Sequence, residues 1–251
     1  MYNKVKTPRE ITAIRESGRQ LATVLEYLKT QVRAGLSTKD LADFARQKLA
    51  ELGGKPAFLG YYGFPDVLCV SVNDEVVHGI PSADKILRQG DIVSMDFGVI
   101  VDGMITDAAI SVVVGTTGNT KDKELLRFTE EALLAGIAEV RDGVRVGDIA
   151  NAIETVLNKH QLGNVRDLVG HGVGHELHEE PNIPNYGRVG SGPMLRAGMT
   201  IAIEPMATLG GHEVFCEQDG WTIKTSDASR SAHFEHTILI TEHGSDILTA
   251  L

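Results

Sequence analysis

Two separate blocks of this chain repeat at one common offset. Moved by 108 positions, Val32-Arg33-Ala34-Gly35 falls on Val140-Arg141-Asp142-Gly143, and Asp40-Leu41-Ala42 falls on Asp148-Ile149-Ala150. The same shift carries Leu87-Arg88-Gln89-Gly90 onto Leu195-Arg196-Ala197-Gly198, and the run from Asp91 to Asp96 onto that from Met199 to Glu204. Short matches arise by chance, but one offset shared by a helical block and a strand block points to duplication. The period is longer than the roughly 20 to 50 residues of solenoid repeats. It therefore predicts two halves, about 7–115 and 116–251, closed on each other about a pseudo-twofold axis within one domain spanning 1–251.

Each half reads as helices followed by antiparallel strands, an α+β arrangement. Thr7-Pro8-Arg9-Glu10 joins an N-cap threonine, a first-turn proline and a glutamate three residues after the cap, which is the signature of a helix start. Ile11, Ile14, Leu21, Val24, Leu25 and Leu28 follow at helical spacing, so one face is buried. A second helix runs from Ser37 to about Leu52, where Gly53-Gly54 stops it. The run Ile92 to Val101 predicts a strand, Met104 to Ile110 its partner, and Asp102-Gly103 the two-residue turn between them. That turn sets Val101 opposite Met104 and Asp107 opposite Gly98, leaving Asp96 diagonal to Asp107 at ~7 Å on one face. In the second half, Thr200 to Glu204 reads as a strand stopped by Pro205, and Phe234 to Ile240 as another.

Asp96, Asp107, Glu204 and Glu235 thus interrupt apolar strands. Taken singly, Asp107 also fits an exposed position near a turn, and each glutamate a solvent-facing edge. Taken together, at matching strand positions of a duplicated fold, they are better explained by a shared divalent metal site, because clustered carboxylates repel unless protonated, left in water or bound to cations. Gly170 to Pro181 adds His171, His175 and His178 within eight residues. The zinc-protease pattern His-Glu-x-x-His is absent, since glycine follows His171. His175 also fits a surface loop, and His160, His212, His233, His236 and His243 default to surface or core roles. His78, in Val76-Val77-His78-Gly79-Ile80-Pro81, reads as the first half's equivalent of a histidine beside the site. Asp96-Phe97-Gly98 imitates a kinase triplet, but no phosphate-cradling loop with a following strand lysine precedes it.

The balance of charge narrows the partners. A net charge of -10 repels phosphates and argues against a broad nucleic-acid or anionic-membrane surface. Cys69 and Cys216 are too few for a disulfide framework, so the expectation is free thiols in a reducing cytoplasm. The start, Met1-Tyr2-Asn3-Lys4-Val5-Lys6, has no apolar core of a signal peptide, and no stretch suits a membrane span. No Gly-x-Ser-x-Gly elbow supports a nucleophilic serine.

These motifs together resemble one family over nearly the whole chain: the type I methionine aminopeptidases of the pita-bread fold. The resemblance is carried by Asn73 to Pro81, by Asp96 and Asp107 eleven apart, and by His171-Gly172-Val173-Gly174 with His178-Glu179-Glu180-Pro181. Thr200 to Met206, Asp219-Gly220-Trp221-Thr222 and Ser231 to Thr237 extend it. It implies a curved antiparallel sheet packed by helices in two pseudo-twofold-related halves. It also implies metal ligands at Asp96, Asp107, His171, Glu204 and Glu235, and substrate-contacting histidines at His78 and His178. The family arrangement has two divalent ions bridged by Asp107 and Glu235, with Asp96 on one and His171 and Glu204 on the other. The oxygen-rich set suits Mn, Fe(II) or Co(II). Glu204 would take the proton of the attacking water, His178 would stabilise the oxyanion, and His78 would contact the scissile amide nitrogen.

Tyr61, Phe64, Cys69 and Trp221 match positions of the family's methionine pocket. Phe58 and Leu177 depart from it, standing where members often carry a small cysteine and an aromatic residue, and they give the pocket an unusual shape. The chain is closest to the minimal, bacterial-type form. What the resemblance implies is hydrolysis of the initiator methionine from nascent polypeptides and short peptides with a small second residue, by a cytoplasmic monomer that meets its substrates near the ribosome, without membrane or nucleic-acid binding. The competing readings are a Xaa-Pro aminopeptidase or prolidase-like enzyme, and a metal-free pita-bread binding module.

Overall fold

Local capping chemistry fixes where the first helices begin. In this computed structural model, which describes residues 4–115 and 119–251, α1 spans Pro8–Gln31 and α2 spans Thr38–Leu52. The reading of Met1, Tyr2 and Asn3 and the boundary between the halves at 116 lie outside the described residues. Thr7 accepts from the backbone N–H of Glu10 while the Glu10 carboxylate accepts from Thr7, and Ser37 with Asp40 repeats the exchange. Two orphan donors are thereby satisfied at each helix start. Gly53, at φ 84°, takes the left-handed conformation that closes α2. In the second half, α3 spans Thr120–Ala138 and α4 Val146–Lys159.

The strands lie beneath these helices. Ile92–Val101 is the centre of a four-stranded antiparallel sheet, pairing with Lys55–Pro56, Leu68–Val72 and Met104–Val113. In the second half, a five-stranded sheet runs in the order Ser245–Ile247, His236–Ile240, Thr200–Ile203, Gly170–Gly172, Glu179–Ile183. Two three-stranded sheets complete the set: Ser231–His233, Met206–Thr208, Gly163–Asn164, and Val214–Cys216, Ile223–Thr225, Glu75–Val77. Each half has its own apolar core. Leu21, Leu28, Leu41 and Leu49 of α1 and α2 meet Leu68, Met95 and Phe97 in one, and Leu125, Leu133, Ile149 and Ile153 of α3 and α4 meet Ile201, Ile203 and Ile238 in the other.

The pseudo-twofold relation extends to irregular detail. Ser37, the cap of α2, bridges to Ile86, and Arg145, the cap of α4, bridges to Met194, so both partners differ by the offset of 108 read in the sequence. Two differences from the sequence reading stand out. Met104–Val113 runs three residues beyond Ile110. The expected strand Phe234 to Ile240 instead divides into Ser231–His233 and His236–Ile240. Opposite the gap lies Pro205, which has no N–H to donate to a ladder, and Glu235 turns to pair with Ala109 of the first half.

Among the described residues, no helix is long and apolar enough to cross a membrane. Packing is tight where α1 crosses the C-terminal segment, since a Cβ on Gly18 would be driven into the backbone carbonyl of Leu248. Gly18→Ala gains about 1 kcal/mol of helix preference, but overpacking against backbone costs ~1 to 3 kcal/mol. The expected result is a lower melting temperature, read by calorimetry, and an equal or higher one would contradict this packing.

Candidate metal centre and substrate pocket

Two acidic groups of the first half come from a single hairpin. Asp102 and Gly103 both take positive φ, 47° and 79°, the backbone that a tight two-residue turn requires. The register then places Val101 opposite Met104 and Gly98 opposite Asp107, so Asp96 and Asp107 share a sheet face, and both are buried. In the second half, Met206 lies opposite His233 and Ile203 opposite His236. Since the 108 shift lays Gly98 on Met206, the counterpart of Asp107 is His233, and Glu235 is the counterpart of Ala109.

Ala109 and Glu235 exchange backbone hydrogen bonds at 3.3 and 2.9 Å, as positions related by a twofold axis between them do. The expectation of matching strand positions therefore holds for Asp96 with Glu204 but not for Asp107 with Glu235. The arm Val214–Cys216 and Ile223–Thr225 stands where the first half has its Asp102-Gly103 turn, so the offset of 108 does not carry past it. Hydroxyls secure both counterparts. The Thr237 hydroxyl accepts from the Asp107 N–H at 2.9 Å and donates to its carbonyl at 2.8 Å. The Ser111 hydroxyl does the same for His233, at 2.9 and 2.8 Å.

His171 comes from the strand Gly170–Gly172, whose Gly170 leaves no room for a Cβ beside the Ala202 carbonyl. Its Nδ1 lies 2.9 Å from the Gly172 carbonyl. A carbonyl can only accept, so the proton sits on Nδ1 and Nε2 presents a lone pair. That lone pair faces Glu204 Oε1 at 3.6 Å and Asp107 Oδ2 at 4.0 Å, an arrangement that repels unless a cation or a proton lies among the three. Asp107, His171 and Glu235 bring donor atoms within 4.8 Å of one another, as do Glu204, His233 and Glu235. Asp96 Oδ1, Asp107 Oδ1 and Glu235 Oε1 are buried with no hydrogen-bond partner.

Burial is the main force on these groups. It pushes Asp96 up to about 6 and Glu204 up to about 8. Burial and then mutual repulsion lift Asp107 and Glu235 well above the carboxylate range. It lowers His171 to about 3 and His78 to about 4, so both rings are neutral at pH 7. Unpartnered carboxylate oxygens and an imidazole lone pair, all buried, are donors that fit a divalent cation.

A cavity of about 320 Å³ opens over this cluster. All thirteen residues proposed from the sequence line it together: the five acidic and imidazole donors, His78 and His178, and the apolar group Phe58, Tyr61, Phe64, Cys69, Leu177 and Trp221. Phe64 joins two edge contacts, with Phe58 at 6.5 Å and Trp221 at 5.1 Å between ring centres. Trp221, beside the inserted arm, also meets His78 at 6.3 Å. Cys69 stands directly opposite Asp96 in the register, and burial pushes its thiol well above its ordinary value. His178 packs edge-on to His171 at 4.3 Å, and its Nδ1 is 2.7 Å from the Tyr61 hydroxyl.

The sequence reading missed Tyr62, Val77, Leu168, Val169 and Met206 in this lining, and it gave His233 only a default role. Tyr62 is 86% exposed at φ 45° between Tyr61 and Gly63, and the glycines flanking that aromatic pair were a usable turn signal. His233, two residues before Glu235 and so on its side of an extended chain, was accessible to the same argument that found the carboxylates. His175 proves to be half-buried, bonded through Nε2 to Glu10 Oε1 at 2.8 Å.

Residues 12–242 match the metallopeptidase family M24, and the chain belongs to that family. Methionine aminopeptidase 1 of Bacillus subtilis is 47% identical over 244 residues, which cover 97% of this chain and 98% of that protein. The crystal structure of a methionine aminopeptidase from Thermotoga maritima superposes with a TM-score of 0.97 at 44% identity, covering 99% of this chain and all of the other. The prolidase of Pyrococcus furiosus, at 23% identity and a TM-score of 0.79, shares the pita-bread fold; this chain spans 65% of it. As metallopeptidases, members of this family use divalent metal.

The raised carboxyls set a pH dependence for the metal-free protein. Ordinary values of 3.8 and 4.5 against about 6 and about 8 in the fold mean that the unfolded chain releases these protons first. The cost of ionising them in a buried place is absent below about pH 4 and grows as pH rises toward about 8. With chelator present, the melting temperature should fall across this window. Asp107→Asn should raise it at the alkaline end while weakening Mn or Co binding, as calorimetry and metal titration would read. A variant less stable than its parent in chelator would contradict the electrostatic argument.

Proposed function

We propose that the chain removes N-terminal methionine from nascent polypeptides and short peptides whose second residue is small. The observation that carries this reading is a single cavity with an acidic, metal-fitting floor beside an apolar wall of Phe58, Phe64, Cys69 and Trp221. A thioether side chain suits such a wall, because sulfur and aromatic rings attract by ~0.3 to 1.5 kcal/mol. A free α-amine suits the floor. In this reading the chain works as one catalytic domain, 1–251, a monomer in the cytoplasm that meets its substrates close to the ribosome.

Two divalent ions, Mn, Fe(II) or Co(II), would be held by Asp96, Asp107, His171, Glu204 and Glu235. When bound, the ions supply Lewis acidity and lower the pKa of water from 15.7 toward about 7. Glu204, its carboxyl raised by burial, accepts the proton of the attacking water. The Tyr61 hydroxyl is pushed up by burial and stays protonated. It donates to His178 Nδ1 across 2.7 Å, which leaves the ring proton on Nε2 as the donor needed against a developing oxyanion. His78, neutral for the same reason of burial, contacts the scissile amide nitrogen.

These roles separate by variant. His178→Ala should keep its metal and lose transition-state stabilisation of about 2.7 to 4 kcal/mol, the worth of one oxyanion donor. Tyr61→Phe should lower kcat with little change in KM. His171→Ala should lose metal, and Asp107→Asn or Glu235→Gln should cost about three orders of magnitude in turnover. Equal metal loss in His171→Ala and His178→Ala, measured by elemental analysis, would show the roles misassigned.

Substrate choice tests the reading as a whole. Met-Ala-Ser should be cleaved with added Mn or Co and spared with chelator. Met-Lys peptides should resist because His78 and His178 crowd the second residue, and acetylated or formylated methionine should resist for want of a free amine. Phe58 narrows the first site, so Leu-Ala peptides should be poor substrates. Efficient cleavage of acetylated Met-Ala would overturn the proposal, and preference for Xaa-Pro peptides would support the prolidase-like alternative.

A further inference from the structure

His233 is buried beside the acidic cluster and stands where the pseudo-twofold axis carries Asp107. Its backbone is held by the Ser111 hydroxyl just as Asp107 is held by that of Thr237. The same device therefore fixes His233 against the carboxylates, just outside the cavity lining. Its Nε2 lies 3.5 Å from Glu204 Oε2 and 3.9 Å from Glu235 Oε2.

The contrast with His171 decides what that ring offers. His171 gives its Nδ1 proton to the Gly172 carbonyl and so turns a lone pair on Nε2 toward the carboxylates. Neither ring nitrogen of His233 has a short hydrogen-bond partner among the described residues, but carboxyl oxygens lie within 4 Å of Nε2 and not of Nδ1. A proton on Nε2 therefore has the oxygens of Glu204 and Glu235 before it, whereas one on Nδ1 has no acceptor. Glu204 thereby has its two oxygens divided, Oε1 toward the His171 lone pair at 3.6 Å and Oε2 toward the His233 ring at 3.5 Å. These separations describe an electrostatic contact shared between Glu204 and Glu235, not one short hydrogen bond.

We propose that His233 is a positioning residue that directs its Nε2–H at the outer oxygens of Glu204 and Glu235, and so turns their other oxygens toward the metal. Donors of this kind, which orient ligating carboxylates from behind, change metal affinity by about 10- to 100-fold when removed. The proposal rests on the metallopeptidase reading for its metal, and its test separates the two.

The experiment compares the parent protein with His233→Gln, which keeps an N–H donor, and His233→Leu, which does not. Metal affinity is measured by calorimetric titration with Mn, the number of bound imidazoles by nitrogen pulsed EPR on Cu(II)-loaded protein, and kcat and KM on Met-Ala-Ser. Melting in chelator confirms that each variant folds. The expected result is one imidazole in all three proteins, Mn affinity weaker by about 10- to 100-fold in His233→Leu, kcat lowered more than KM is raised, and most of both losses restored in His233→Gln. A second imidazole in the parent that His233→Leu abolishes would make His233 a ligand and overturn the proposal. Unchanged affinity in folded His233→Leu would also overturn it. A parent that binds Mn but leaves Met-Ala-Ser intact would defeat the aminopeptidase reading while leaving the affinity comparison to decide the role of His233.

Discussion

The burial of four neighbouring carboxyl groups is the constraint to which the rest of this molecule is fitted. Asp96, Asp107, Glu204 and Glu235 are gathered within one cavity wall, and each has its acidity weakened by burial. In water such groups would separate or stay hydrated. Here they are held by backbone that cannot yield: a ten-residue hairpin strand carries Asp96, its partner Asp107, and hydrogen bonds to Ala109 pin Glu235. The hydroxyls of Thr237 and Ser111 each saturate both backbone polar groups of a facing residue. Ladder bonds that might have slipped are thus replaced by fixed side-chain contacts. Such a cluster costs stability without a cation and gains it with one, which is the energetic basis of a metal-dependent site.

Function in this duplicated fold resides in the departures from symmetry. Asp96 and Glu204 are true counterparts, but the position of Asp107 is filled by His233 in the second half, and that of Ala109 by Glu235. A symmetric version would have placed two aspartates or two histidines there. Substituting across the axis yields a donor set with a single imidazole lone pair directed inward, from His171. The inserted arm departs further, pairing Ile223–Thr225 with Glu75–Val77 beside His78 and bringing Trp221 to the cavity. At the opposite rim, the buried ion pair of Lys6 with Glu179, 3.1 Å apart, ties the chain ahead of α1 to the loop bearing His178. The second oxygen of Glu179 accepts from the backbone of His175 and Glu176, so the loop is fixed from within as well.

Legibility from sequence followed the range of the interactions concerned. The capping boxes at Thr7 and Ser37, the left-handed Gly53 and the Asp102-Gly103 turn are set by neighbours within four residues, and all were readable. So was the register that aligns Asp107 with Gly98, because a two-residue turn leaves no freedom. The break at Phe234 and Glu235 was not readable, since it depends on Ala109, far away along the chain. His233 shares its side of the chain with Glu235 and could have been flagged on that ground, but its partners, Glu204 and Ser111, are distant in sequence. The full ligand set became legible only through family resemblance added to strand spacing.

The wall opposite the carboxylates shows how pocket shape is coupled to the hairpin that carries the acids. Phe58 lies against Gly98, where an added Cβ would come within 2.7 Å of its ring. Gly98 is also the residue opposite Asp107. A side chain at 98 would therefore push on Phe58 on one side and disturb the strand that holds Asp96 and Asp107 on the other. The large ring at 58 is tolerated because position 98 has none, so the volume of the apolar wall and the placement of the acidic floor share one backbone position. Substrate fit and metal geometry in this chain are for that reason not independent: a change that widens the first site by reshaping the contact between residues 58 and 98 also acts on the carboxylates two residues away.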